Sequence, residues 1–208
     1  MQQYKSFGKR AFDLMFSLLA LPFLIPIFLL AVIGILLDDG RPIFFKQQRV
    51  GKNGKLFTMW KFRTMYMNHT AFSKNEEDRS SWTNGIPDTF VFKDGLEDPR
   101  ITKVGQWLRK TSIDELPQIL NVLKGEMSIV GPRPETPSYT CYYSPYQKKR
   151  LDVKPGITGW AQVNGRSAIN HGQKIELDRY YVTHYNFKMD AKIVQKTVIQ
   201  VIKRKGAY

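Results

Sequence analysis

An uncharged apolar run from Leu14 to Leu37 constrains this chain more than any other feature. A straight helix of these 24 residues would be about 36 Å long, and a bilayer's hydrocarbon core is about 30 Å thick. The run is too long for a signal peptide and lacks a small-residue cleavage site. The first expectation is therefore a helix inserted in a membrane.

Two features favour a helix that enters and leaves on one side. Pro22 and Pro26 lie near the middle of the run, where proline removes helical hydrogen bonds and bends the axis. Positive charge flanks both ends, which places both flanks on the cytoplasmic side. The flanking residues are Lys5, Lys9, Arg10, Arg41, Lys46, Arg49, Lys52 and Lys55. We expect residues 1–40 to form a re-entrant helix–break–helix and residues 41–208 a cytoplasmic-face domain; a kinked span is the alternative.

The charge balance indicates an anionic partner. The formal net charge is +14, which suits nucleic acid, anionic lipid or a phosphorylated substrate. Cys141 is the only cysteine, so an intrachain disulfide is excluded and a reducing compartment is expected.

An acidic pair, Asp114 and Glu115, opens the segment from Thr111 to Pro134. Apolar residues at helical spacing follow it, so a short helix is predicted to begin near the pair. A capping box from Ser112 to Glu115 is the structural explanation for these acids. Arg109 before the pair and Arg133 on a Gly-Pro-Arg-Pro turn favour a site for phosphate and a hard cation instead.

Three further segments carry predictions with open alternatives. Residues 42–65 are expected to form strands around a turn, with Lys61 and Arg63 on one face that is either solvated or meets phosphate. Residues 66–97 are expected to form a mobile loop over the site. Residues 154–166 hold three glycines and end in Arg166, which suits close approach of backbone N–H groups to a ligand, although a structural turn also fits.

The C-terminal residues 189–205 have apolar side chains on one helical face and lysines around the rest. This pattern predicts an amphipathic helix that lies on a membrane or packs on the core. With the N-terminal anchor and a small sheet, it predicts an α+β fold.

Four blocks then occur in a fixed order, KRAFDLMFSLLALPFLIP, KFRTM, LRKTSIDELPQILNVLKGEMSIVGPRP and KPGITGWAQVNGR. They resemble the small monotopic phosphoglycosyl transferases of the bacterial sugar transferase family over nearly the whole chain. One departure is Ile25-Pro26 where that family often has Ser-Pro, which removes a hydroxyl that would help to satisfy the freed backbone.

The resemblance implies transfer of a phosphosugar from a UDP-sugar to a polyprenol (undecaprenyl) phosphate, with release of UMP. Asp114 would be the nucleophile and Glu115 would help to bind Mg²⁺, with Asp114 as its neighbouring ligand. The resemblance also implies substrate-binding positions, at Arg109 for the lipid phosphate and at Arg133, Arg166, Lys61 and Arg63, and a recurring acid at Asp178. It implies a location at the cytoplasmic face of the bacterial inner membrane, where downstream glycosyltransferases would use the product.

Two other classes remain as alternatives. A basic membrane- or nucleic-acid-binding module without catalysis explains the net charge but gives no reason for the ordered acidic and glycine-rich blocks; nucleic acid is therefore not expected as a partner. An ordinary glycosyltransferase acting on a lipid-linked sugar would release a nucleoside diphosphate, so the leaving product separates it from the leading hypothesis.

Overall fold

A computed structural model describes residues 4–67, 82–91, 98–165 and 169–203. After one π-helical turn at Tyr4–Gly8, a single helix, α1, runs from Lys9 to Asp39 through both prolines. This helix is long and apolar enough to cross a membrane, and 11% of its most apolar 18-residue window is buried against the rest of the protein. The predicted apolar helix is therefore present, but it is continuous through Pro22 and Pro26, so the predicted break between two helices is not observed.

Both ends of α1 pack on the rest of the protein. Phe12 joins the main core, while Ala31 and Ile35 pack in a second cluster with Phe62 and Leu108. The fully buried side chains of α1 all lie between Phe12 and Ser17 or between Ala31 and Ile35. Most of the large side chains between these groups are exposed, and they include Leu18, Leu19, Phe23 and Ile25, whereas Phe28 packs on the second cluster. The apolar middle of α1 is thus the part that the protein leaves uncovered.

The predicted hairpin is confirmed. Strand β1 (Phe44–Val50) pairs antiparallel with β2 (Leu56–Phe62), with Phe44 opposite Phe62 and Val50 opposite Leu56. A 3₁₀ turn at Lys52–Gly54 joins them, in which Gly54 has a φ of +79°. This hairpin carries Lys61 towards the acidic pair.

A second sheet has two short parallel strands, β3 (Ser128–Val130) and β4 (Gly156–Thr158). Glycines allow their close approach: a Cβ on Gly159 would lie 2.2 Å from the carbonyl oxygen of Gly131, and one on Gly156 would lie 2.1 Å from the Gly131 nitrogen. The glycine-rich segment therefore has a packing function, because its glycines admit another stretch of backbone.

Short helices complete the fold around these sheets. They are α2 (Lys103–Lys110), a 3₁₀ helix at Ile113–Gln118, α3 (Ile119–Lys124), α4 (Pro137–Thr140), α5 (Pro145–Lys148), a 3₁₀ helix at Lys149–Asp152, α6 (Trp160–Asn164), α7 (His171–His184) and α8 (Phe187–Ile202). The main core lies between α1, β2, α3, β3, α7 and α8. The mixed α and β class is confirmed, and the C-terminal helix begins two residues before the predicted start at 189; residues 204–205 lie outside the described part.

The predicted loop at 66–97 is described only at residues 66–67 and 82–91; residues 68–81 and 92–97 lie outside the described part. Residues 82–91 are anchored to the rest of the protein by two buried side chains, although most of the segment is exposed. Trp82 and Ile86 are buried, and the backbone of Ile86 exchanges two hydrogen bonds with the Gln147 side chain. This piece belongs to a small aromatic cluster with Tyr139, Tyr142 and Tyr143.

Candidate active site

The acidic pair is placed by a tight turn after α2. Ser112 adopts a left-handed conformation (φ 57°), which turns the chain into the 3₁₀ helix that holds Asp114 and Glu115. The Ser112 side chain makes no capping hydrogen bond, so the capping-box explanation of these acids is wrong. The 3₁₀ helix therefore begins without a regular side-chain cap, and the carboxylates of Asp114 and Glu115 remain available to other partners.

Cations from two other segments contact the pair. Lys61 Nζ, on β2, lies 2.8 Å from Glu115 Oε1 and 3.8 Å from Asp114 Oδ2. Arg133 Nη2 donates to Glu115 Oε1 at 2.6 Å, and Nη1 lies 3.2 Å from Glu115 Oε2. We call these four residues, Lys61, Asp114, Glu115 and Arg133, the site cluster. The structure thus brings together residues that are up to 72 positions apart in the sequence.

The two carboxyl groups of the site cluster differ in their electrostatics. Burial raises the pKa of Asp114 to about 6, with repulsion from Glu115 adding to it and Lys61, Arg133 and Arg109 opposing it. Burial also favours the neutral form of Glu115, but the charges and hydrogen bonds of Arg133 and Lys61 outweigh it and hold the pKa of Glu115 well below its usual range. Glu115 is therefore the firmly ionised member, and Asp114 is a desolvated carboxyl group beside it.

Arg109 stands at the edge of the site cluster. It lies in the last turn of α2, its Nε donates to Thr64 Oγ1 at 3.0 Å, and its charge lowers the pKa of Asp114. The predicted neighbour of the acidic pair is thus close enough to act on it electrostatically.

The other predicted site residues lie elsewhere. Arg63 does not join Lys61: it pairs with Asp39 at 2.9 Å and donates to the carbonyls of Asp39, Gly40 and Arg41 at the end of α1. Arg63 follows the last residue of β2, so the strand alternation that predicted a shared face no longer applies there. Arg166 lies outside the described residues.

Asp178 lies in a separate group of buried ionisable side chains. It pairs with Arg150 at 2.6 Å; Glu135 contacts both Arg150 and Lys174. We call these four residues, Glu135, Arg150, Lys174 and Asp178, the buried network. Sequence reasoning missed Arg150 and Glu135, although a basic run at Lys148–Arg150 gave a weak signal. The structure does not bring Asp178 into direct contact with the site cluster.

Asp114 and Glu115 are the two carboxylates of the site cluster that could bind a divalent cation. In residues 4–67, 82–91, 98–165 and 169–203, no group of three or more acidic, histidine or cysteine side chains could hold a metal. Mg²⁺ is usually bound by one or two carboxylates together with phosphate oxygens and water. Asp114 and Glu115 fit that donor set.

Comparison with known proteins decides the family. The profile described as bacterial sugar transferase matches residues 4–204. The chain belongs to the bacterial sugar transferase family. This sugar transferase is 45% identical to the "Uncharacterized sugar transferase EpsL" of Bacillus subtilis over 95% of its own length and 89% of the relative's. An enzyme is thereby established, rather than a binding module without catalysis.

Two longer relatives carry names with a defined activity. The sugar transferase is 39% identical to the "Undecaprenyl-phosphate galactose phosphotransferase" of Salmonella typhimurium over 97% of its own length. It is 36% identical to the "Undecaprenyl-phosphate glucose phosphotransferase" of Komagataeibacter xylinus over its whole length. The match covers 42% and 38% of the length of these two relatives, so more than half of each relative lies outside it.

Proposed function

We propose that this sugar transferase moves a phosphosugar from a UDP-sugar to a polyprenol phosphate through a covalent intermediate on Asp114. The observation that carries the proposal is the buried Asp114 carboxyl group, set beside an ionised Glu115 and within reach of Lys61, Arg133 and Arg109. The names of the two phosphotransferase relatives support the choice of reaction and of lipid acceptor.

In the first step, an Asp114 carboxylate oxygen attacks the β-phosphorus of the UDP-sugar. The bond from that phosphorus to the bridging oxygen breaks, and UMP leaves with this oxygen. Burial keeps Asp114 poorly hydrated, so the carboxylate loses little solvation on attack. Lys61 and Arg133 offset the charge that gathers on the phosphoryl oxygens and on the departing UMP.

In the second step, an oxygen of the polyprenol phosphate attacks the same phosphorus. The bond between phosphorus and the Asp114 oxygen breaks, which restores the carboxylate and yields a polyprenol diphosphate sugar. Two negatively charged reactants must meet, so we assign Arg109 to the lipid phosphate because it stands at the edge of the site cluster. Splitting the transfer in two lets each phosphate approach alone.

Asp114 and Glu115 would hold Mg²⁺ together with the diphosphate of the donor. The ion would supply Lewis-acid neutralisation of the phosphate oxygens. Glu115 already accepts hydrogen bonds from Lys61 and Arg133. Some of these hydrogen bonds must therefore break when the donor arrives, so that a carboxylate oxygen can bind the ion. The phosphates then give both cations new partners.

We also propose that α1 is re-entrant, on the cytoplasmic face of the bacterial inner membrane. Near its start, Lys9 pairs with Asp190 at 2.7 Å, and Arg10 donates to the Val122 and Leu123 carbonyls. Near its end, Asp38 accepts from the Val104 backbone at 2.9 Å, and Arg63 pairs with Asp39. Because polar groups of one domain hold both ends, a crossing would require that domain to lie on both sides of a hydrocarbon core about 30 Å thick, which fits poorly.

The reaction is tested by nucleotide release from a panel of UDP-sugars with undecaprenyl phosphate and Mg²⁺. We expect UMP from at least one sugar, loss of release on chelation of the metal, and a protein-bound phosphosugar when the lipid is omitted. Asp114→Asn is expected to abolish both UMP and the adduct. UDP as the product would indicate an ordinary glycosyltransferase, and wild-type release by Asp114→Asn would refute the covalent mechanism.

The topology is tested with single cysteines in a Cys141→Ser background. Phe7 and Arg41 are exposed and flank the membrane segment, so Phe7→Cys and Arg41→Cys report on its two sides. In sealed vesicles, an impermeant thiol reagent is expected to label both from the same side. Labelling from opposite sides would establish a span. If both are labelled from one side, glycosyltransferases that extend the lipid-linked sugar would act on that same face of the membrane.

A further inference from the structure

The turn that presents Arg133 is held by hydrogen bonds to four successive carbonyls. The Pro132 oxygen accepts from Gly156 N at 2.9 Å, and the Glu135 oxygen accepts from Val50 N at 2.9 Å. Arginine side chains donate to the two carbonyls between these. The Arg133 oxygen accepts from Arg150 Nη2 at 2.9 Å, and the Pro134 oxygen accepts from Arg49 Nη1 at 3.0 Å. Four successive carbonyls therefore fix the path of the backbone.

The arginine that holds the Arg133 carbonyl is itself fixed from the other side. Arg150 Nη2, which donates to the Arg133 carbonyl, also lies 2.6 Å from Asp178 Oδ2 in an ion pair. Arg150 Nη1 donates to the Tyr143 hydroxyl at 2.7 Å. The side chains of Arg150 and Asp178 are 1% and 2% exposed, so substrate cannot reach them directly.

This burial contrasts with the side chain that the turn carries. The Arg133 side chain is 38% exposed and reaches Glu115 from a backbone that Arg150 holds. A long, rotamer-rich side chain places its guanidinium accurately only when its backbone is fixed. An error of about 1 Å in a positioning group costs about 10²-fold in rate.

We propose that Asp178 and Arg150 are positioning residues that act on phosphosugar transfer through the backbone of Arg133. This inference rests on the proposed function for its rate measurements. It gives Asp178 a role that needs no contact with substrate, and it extends the machinery of the site to α7.

The test separates positioning from stability by exchanging the buried pair for apolar side chains. Replacement of a buried ion pair by hydrophobic residues of similar volume is often neutral or stabilising. Arg150→Met/Asp178→Leu is therefore expected to keep cooperative unfolding while losing about 10-fold to 100-fold in the rate of UMP release. In an Arg133→Ala background, the same exchange is expected to change the rate by less than about threefold, because the group that it positions is gone.

Tyr181→Phe is the matched control. The Tyr181 hydroxyl donates to the Val130 carbonyl at 2.9 Å. Val130 is the last residue of β3 and precedes the turn that carries Arg133. The control is expected to lower stability and to leave the rate unchanged in both backgrounds. A wild-type rate for the apolar pair, or an equal loss with and without Arg133, would overturn the proposal. If the apolar pair fails to unfold cooperatively, Asp178→Asn enters the same cycle with the same criteria.

A second readout needs no turnover. Hydrogen exchange of the peptide covering residues 128–136 is expected to quicken in the apolar-pair variant and to keep its wild-type rate in Tyr181→Phe for the amides after Gly131. Unchanged exchange in the apolar pair would overturn the positioning role even if the wild-type protein released no UMP. Absence of UMP from wild type would by itself count only against the proposed function.

Discussion

The site cluster and the buried network are built from the same kinds of residue, each with two acids and two cations, but they differ in access. In the buried network, the Arg150, Asp178 and Glu135 side chains are 1%, 2% and 9% exposed, and Lys174, at 16%, is the most exposed of the four. In the site cluster, Arg133 is 38% exposed, and Lys61 and Glu115 are 17% and 16% exposed. A cation with access to solvent can exchange a carboxylate for a phosphate, whereas a buried one cannot without leaving its partner's charge uncompensated.

The two groups are alike in the pKa values of their acids, because each pairs an acid that cations keep ionised with one whose pKa burial raises. Glu135 lies among three cations, Lys174, Arg150 and Arg49; burial raises its pKa, but these charges outweigh burial and lower the pKa to about 2. Asp114 has a pKa raised to about 6, because burial is only partly compensated by nearby cations. Burial likewise raises the pKa of Asp178, against the charges of Arg150 and Lys174, so access to solvent, and not the pKa of the acids, distinguishes the site cluster from the buried network.

The largest expected effect is the loss of UMP release when Asp114 of the site cluster is replaced. Asp114→Asn keeps the shape of the side chain and removes its nucleophilic charge, so we expect a loss of about 10⁴-fold in UMP release, in the range seen when nucleophiles are removed. The melting temperature is expected to stay level or to rise, because a poorly compensated buried acid is gone. A fall in melting temperature together with residual turnover would show that Asp114 is mainly structural.

The reverse behaviour is expected in the buried network. Asp178→Ala leaves Arg150 as a buried charge with less compensation, which costs about 3–5 kcal/mol of unfolding free energy. Chemical denaturation in detergent measures the loss, and Asp114→Ala is the matched control, expected to cost little. Equal destabilisation by the two changes would remove the distinction between the groups.

A pH dependence sharpens the comparison further. His171 is buried against the network, and burial together with the charges of Arg150 and Lys174 lowers its pKa from 6.5 to about 4, with Glu135 opposing. The unfolded chain binds a proton near pH 6.5 and the folded chain only near pH 4. Stability from the neutral ring is thus complete above pH 6.5 and is lost as pH falls towards 4, by at most about 3 kcal/mol.

Replacing that ring isolates its contribution. His171→Phe is expected to flatten the fall in unfolding free energy between pH 6.5 and 4, while the exposed His184→Gln keeps the wild-type slope. Denaturation midpoints at several pH values provide the measurement. An unchanged slope in His171→Phe would assign the acid sensitivity to the carboxylates instead.

The smallest effect compares two neighbouring cations. Lys61→Gln removes a charge that contacts Glu115 and lies near Asp114, so we expect a loss of about 10-fold in kcat/KM with little change in stability. Arg63→Gln is expected to keep kcat/KM and to lower the unfolding free energy by about 1–3 kcal/mol, because Arg63 holds the end of α1. Loss of activity in both variants at equal stability would return Arg63 to the site.

Local patterns were sufficient to predict several elements. The apolar run predicted α1, the turn residues predicted the β1–β2 hairpin, and Gly125 ends α3 with a φ of +85°. The acidic pair and the nearby Arg109 were predicted to lie together, because residues on neighbouring short turns must be close in space, whereas the contact of Arg133 with Glu115 depends on the fold. These features depend on interactions within a few residues, which the sequence records directly.

Contacts between distant segments needed the tertiary structure. Only packing shows that the glycines after Lys154 allow close approach of the Gly131 backbone. Only packing likewise shows that Arg63 binds the end of α1 and does not lie beside Lys61. The pairing of Arg150 with Asp178, and the bond from Arg150 to the Arg133 carbonyl, depend on how α7 docks against the turn. The sequence thus determined the family and the candidate site residues, whereas burial and long-range hydrogen bonds, set by the whole chain, decided which of these candidates lie together and are exposed to solvent.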